Sequence, residues 1–148
     1  MSNVFIHRML LTDNGFTSLA LRLSAGPIFV AHGAQKLFGS FGGPGLEGTG
    51  QWMAAIGLEP GYLMALAAGS AEFFGGIALL IGLLTRPAAF ILAITMLVAI
   101  ITTHLPNGLF LSNNGYEFGL ALLGISVALV FNGGGRFSLD RKLIGASS

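Results

Sequence analysis

Apolar residues fall into four long blocks, at 18–39, 62–84, 88–105 and 116–131, separated by glycine-rich or polar segments. A helix needs about 20 mainly apolar residues to cross a bilayer, and three blocks reach that length, while the last lies at its short end. The pattern predicts four spanning helices packed as one all-α bundle. The first block, SLALRLSAGPIFVAHGAQKLFG, is apolar and yet carries Arg22, His32 and Lys36. On a helix these share a face with Ala25 and Phe29, at steps of three and four, while Leu19, Leu21, Ile28 and Val30 fill the rest. A charge in the bilayer interior costs several kcal/mol, so this face must turn toward protein. Pro27 removes a backbone donor from the same helix, predicting a kink that frees the Leu23 carbonyl near Arg22.

The second block supplies a partner. YLMALAAGSAEFFGGIALLIGLL has one charge, Glu72, near its centre, and Ala65, Ala68, Gly69, Gly75 and Gly76 lie beside it at helical spacing. Small residues so placed make a groove that another helix approaches closely, so Glu72 points inward. Thr85-Arg86-Pro87 reads as a tight turn into the third block, which is apolar until Thr102, Thr103 and His104 and is stopped by Pro106-Asn107-Gly108. The fourth block opens with Glu117, and its Gly119, Gly124 and Ala128 predict close packing on a neighbour.

Outside the blocks, residues 1–17 are mixed, with His7, Arg8 and Asp13 interrupting short apolar pieces, and read as a lead-in on the membrane surface. A cleaved signal peptide is not expected, since the following apolar helix is long, holds Arg22 and lacks a small-residue cleavage site beyond it. Residues 40–61 are rich in glycine and end on Pro60-Gly61, so they form a loop, with a short interfacial helix over 51–57 placing Trp52 at the membrane surface. Such a loop is a lid or a plain connector. The tail begins with Gly133-Gly134-Gly135, read as a linker, and its Arg136, Asp140, Arg141 and Lys142 predict an aqueous segment.

Composition agrees with this picture: 53% of residues are hydrophobic, 9% are charged and the mean hydropathy is +0.80. The chain reads as an integral membrane protein in contact with the lipid bilayer, and its 148 residues are filled by about four spans and their loops. Arg8, Arg86 and the tail cations lie on one side, while the loops at 40–61 and 106–115 have no lysine or arginine. The positive-inside rule therefore predicts cytoplasmic N and C termini. A net charge of +1 without a basic cluster gives no case for nucleic acid. The absence of cysteine removes thiolate chemistry and thiolate metal sites, so a redox role needs a bound cofactor or a partner protein.

In this topology His32, Lys36, Glu72, His104 and Glu117 converge on the outer half of the bundle. Arg22 lies about 21 Å from Lys36 at the usual rise of about 1.5 Å per residue, in the inner half, and reaches Glu72 only through its long side chain. Glu72 paired with Lys36 or Arg22 is a structural ion pair or part of a binding or proton-handling site. His32, one turn from Lys36, is a satisfied interior histidine or a functional one. His104 and Glu117 lie near an interface, where solvated roles compete. These side chains can ligate metals, but the Glu-x-x-His pairs of bundle di-metal sites are missing and no metal is expected. No phosphate-binding loop or nucleophile elbow is present.

Taken together, Arg22 followed by HGAQK, then AEFFGGIALLIGLLTRPAA with Glu72, His104, Glu117 and a glycine-rich step into Ser138-Leu139-Asp140, resemble the DoxX family of small bacterial four-helix membrane proteins. The resemblance covers nearly the whole chain and implies the bacterial inner membrane. Related DoxD-type chains form the membrane subunit of a thiosulfate:quinone oxidoreductase, and other members are linked to oxidative-stress complexes with secreted partners. Carried over, the resemblance implies Arg22, His32, Lys36, Glu72, His104 and Glu117 as cofactor-binding positions, with Glu72 and His32 as candidate catalytic groups. The leading expectation is a redox-associated subunit of a quinone-linked oxidoreductase, holding a quinone in its outer half. Two alternatives stay open: a structural subunit that recruits a partner protein or a second copy of the chain, and a small proton-coupled transporter.

Overall fold

The computed structural model describes residues 2–12 and 15–145. Asp13, counted above with the polar lead-in, lies outside the described residues. These fold into seven α-helices without a strand: α1 (Ser2–Leu10), α2 (Thr17–Phe38), α3 (Gly45–Ala55), α4 (Gly61–Ile81), α5 (Thr85–Ala99), α6 (Glu117–Asn132) and α7 (Leu139–Gly145). Beyond α5 the chain stays helical through a π segment, Ile100–His104, and a 3-10 turn, Leu105–Asn107. Two helices, Gly61–Ile81 and Thr85–Asn107, are long and apolar enough to cross a membrane.

The chain centres on α2 packed antiparallel against α4. Glycines make this contact close: a Cβ on Gly33 would lie 2.4 Å from the Phe73 amide nitrogen, and one on Gly76 2.7 Å from that of Val30. With the backbones this near, Lys36 on α2 is brought level with Glu72 on α4. The apolar core is small, built around Ala25, Phe29, Leu79, Leu92, Met96 and Leu129. Large apolar side chains such as Phe74, Phe90, Ile101 and Phe131 stand exposed on the outer surface, as expected where lipid rather than water is the solvent.

Several expected boundaries shift. The helix in the first loop runs over Gly45–Ala55, earlier than 51–57. Its Gly50 and Gly61 beyond it are spent on contact, since a Cβ on Gly61 would sit 2.1 Å from the Gly50 carbonyl oxygen. Thr85-Arg86-Pro87 is not a turn but the first turn of α5, where a proline's missing N–H leaves no bond unmade. The reversal is made by Gly82 and Leu84, both at positive φ.

The tail departs furthest from expectation. The three glycines are buried, and the chain after them turns back into α7 with Ser138 and Asp140 also buried. Asp140 accepts hydrogen bonds from the Leu84 and Thr85 amides, at 2.6 and 2.9 Å, and so caps α5 from the far end of the sequence. Segment 132–145 is thus docked on the end of the bundle and not a free linker, while Arg136 and Lys142 remain exposed. The lead-in is tied to the same end, with Arg86 Nε donating to the Leu11 carbonyl at 2.6 Å.

Candidate functional site

The polar residues of the spans separate into two groups. Arg22 is 1% exposed and faces the end of α4 that the tail covers. Its Nε donates to the Leu79 carbonyl (2.6 Å), Nη2 to Leu80 (3.0 Å), and Nη1 to Gly134 and Phe137 (2.7 and 2.8 Å). The first two carbonyls lie in the last turn of α4, where carbonyls lack α-helical N–H donors and a cation is favoured; the Gly82 amide also donates to Leu79, at 3.2 Å. Arg22 therefore pairs with backbone, neither with Glu72 nor with the carbonyl of Leu23. Asp140 supplies the nearby negative charge.

At the other end, Lys36 Nζ meets Glu72 Oε2 at 2.6 Å. Glu72 is buried and Lys36 about a quarter exposed. The pair lies in the wall of a cavity of about 610 Å³ bounded by α2, α3, α4, α5 with its π segment, and the start of α6. Most of the lining is apolar, including Phe29, Met53, Met64, Ala68 and Leu122. Against it stand His32, Lys36, Glu72, Thr95, Thr102, Thr103, His104 and Asn114. Trp52, the single tryptophan of the chain, also lines it from α3, so the loop forms part of the cavity wall.

Local geometry sets what each group can offer. Thr95 and Thr102 donate their hydroxyl protons to the carbonyls of Ile91 and Val98, at 2.9 and 2.8 Å, leaving oxygen lone pairs as acceptors. His104 Nδ1 lies 2.9 Å from the Asn114 carbonyl. A carbonyl only accepts, so Nδ1 carries the proton and Nε2 of the neutral ring is an acceptor. His32 stands exposed to the cavity, its ring 6.2 Å from that of Phe118. The lysine ammonium has three donors, one of which goes to Glu72.

The structure thus brings together His32, Lys36, Glu72 and His104 of the six expected positions. Arg22 and Glu117 lie elsewhere. Glu117 is exposed, and its Oε1 accepts from the Leu111 amide at 2.6 Å, fixing the loop before α6. Thr95, Asn114 and the π turn also shape the cavity, and the pattern of polar positions within the spans does not single them out. A run of hydroxyls ahead of a proline was the available signal for Thr102 and Thr103, and π turns inside α-helices are frequent at functional sites. Among the described residues no group of three or more His, Asp or Glu is placed to hold a metal ion.

Comparison with known proteins gives this site a setting. The chain is 37% identical over 120 residues to CatD of Bacillus subtilis (strain 168), named as a candidate oxidoreductase, with 81% of each chain covered. It is 36% identical to the membrane protein Rv3486 of Mycobacterium tuberculosis, over 92% of this chain and 86% of that one. To the inner membrane protein YqjF of Escherichia coli (strain K12) it is 36% identical, over 67% and 75% of the two chains. No solved structure matches. The DoxX family model matches residues 17–105, which carry Arg22, His32, Lys36, Glu72 and His104, and the chain belongs to the DoxX family of membrane proteins.

Proposed function

We propose that this protein is a redox-associated subunit of the bacterial inner membrane that binds a quinone in the cavity beside Lys36 and Glu72. In this reading α2 and α6 cross the bilayer with the two long apolar helices, and both termini are cytoplasmic. The observation that carries it is a mainly apolar cavity of about 610 Å³ whose lining includes a few polar groups from α2, α4 and α5 with its π segment, the form expected of a small-molecule site. Lys36 and His32 donate hydrogen bonds to the headgroup oxygens, the acceptor nitrogen of His104 receives one from a hydroxyl, and Glu72 exchanges a proton with the ligand. Electrons pass to or from a partner protein, since the chain has no cysteine of its own.

The relatives' names support the same direction, one as a candidate oxidoreductase and one as an inner membrane protein. The test is mass spectrometry of an organic extract from protein purified in mild detergent, beside extracts from Glu72→Gln and Lys36→Ala. Stoichiometric quinone in the native protein, reduced in both variants, is the expected result. Bulk phospholipid alone in all three would contradict it and favour a subunit that only recruits a partner.

A further inference from the structure

The cavity has a side whose chemistry the headgroup does not use. Helices α4 and α5 touch at Gly75, where a Cβ would lie 3.0 Å from Leu92. Toward the Met64 end of α4 the cavity lies between them. The residues bordering it there are Met64 and Ala67 on α4 and Ile91, Ile94 and Val98 on α5, and all five are also exposed at the surface. At 100° per residue, Ala67 sits between the cavity-lining Ala71 and the outward Leu63 and Phe74. Ile94 likewise sits between the cavity-lining Val98 and the outward Phe90 and Ile101. The cavity wall thus runs without a polar break onto the outer apolar surface. These two helices are also the ones long and apolar enough to cross a membrane, so that surface faces hydrocarbon.

We infer that the cavity opens sideways into the bilayer between α4 and α5, past Ala67 and Ile94, and that its ligand is a membrane-resident amphiphile whose apolar tail leaves through this mouth. This rests on the proposed headgroup site and adds the route of access and the ligand's second half. A headgroup at Lys36 and Glu72 then needs no passage past the 40–61 loop, and a tail along Ile91, Ile94 and Val98 stays in apolar surroundings over its whole length. Ala67 matters because it is small: a larger side chain there fills the mouth.

Quenching of Trp52 fluorescence tests this in purified full-length protein, with two probes: a benzoquinone headgroup without a chain, and the same headgroup with a decyl chain. For each compound, the affinity of every variant is compared with that of native protein. Ala67→Phe and Val98→Phe are each expected to weaken the decyl compound about tenfold more than the bare headgroup. Ile77→Phe, on the outer surface of α4 away from the mouth, leaves both as in native protein. Comparison with native protein at equal detergent cancels partitioning into micelles. If the headgroup binds but both mouth variants bind the decyl compound and the bare headgroup with the same change relative to native protein, the lateral mouth is wrong and the headgroup site stands. If neither probe quenches Trp52, both fail together.

Discussion

Arg22 and Lys36 are cations on one face of one helix, both opposite α4, and the protein uses them in opposite ways. Arg22 is sealed: four N–H groups meet four carbonyls, and the glycine-rich tail lies over it. Lys36 meets a single carboxylate and remains partly open to a cavity. A planar guanidinium with several fixed donors suits the first task, gathering carbonyls from two segments, whereas a flexible ammonium suits the proposed ligand site. The difference teaches that burial of charge is not by itself a sign of function. Unspent hydrogen-bonding capacity beside an open volume is the better sign, and here it belongs to Lys36, His32 and His104.

If this division holds, substitutions at the two ends separate stability from binding. Arg22→Met should have the largest effect on stability, a loss of about 3 kcal/mol or more, because it strands buried carbonyls held by charge-assisted bonds; thermal unfolding in detergent measures it. Arg22→Lys should recover only part of that, since one ammonium cannot reproduce the fork. Gly33→Leu should cost about 1–3 kcal/mol by pushing α2 off Phe73, and by separating Lys36 from Glu72 it should also lower quinone affinity, so it joins the two ends. Asp140→Ala removes the cap on α5 and should cost about 1–2 kcal/mol, with quinone affinity unchanged. Glu72→Gln should have a smaller effect on stability than Arg22→Met, because the glutamine carbonyl still accepts a hydrogen bond from Lys36, whose side chain is about a quarter exposed. It should nonetheless weaken quinone binding about tenfold, the loss of one charge-assisted contact.

Much of the cavity end is legible in the sequence. Glu72 amid small residues at helical spacing announces an inward carboxylate, and Lys36 one turn from His32 announces the face it meets. The Arg22 end is not legible in the same way, because its partners are backbone carbonyls, which every residue carries and no side-chain pattern marks. For the same reason Gly133-Gly134-Gly135 reads as a linker, although these glycines are what allow the chain to lie against Ser138, Thr12 and Ser18. Asp140 reads as solvated among Arg141 and Lys142, yet the amides it caps belong to a helix 55 residues earlier. Glu117 shows a third limit: position along a helix gives depth but not direction, and its carboxylate turns to the Leu111 amide. The π turn at Ile100–His104 has no sequence signature, and it is what carries Thr102, Thr103 and His104 to the cavity wall.

The most direct test of the division is thermal unfolding of native protein, Glu72→Gln and Asp140→Ala, each with and without saturating benzoquinone headgroup. A ligand that binds only the folded state adds about 2.7 kcal/mol at one hundred times its Kd. At the same ligand concentration native protein and Asp140→Ala are expected to gain the same rise in Tm, from different starting points, while Glu72→Gln, binding about tenfold more weakly, gains about half as much. An equal rise in all three, or none in native protein, would contradict the assignment of ligand binding to the Lys36–Glu72 end.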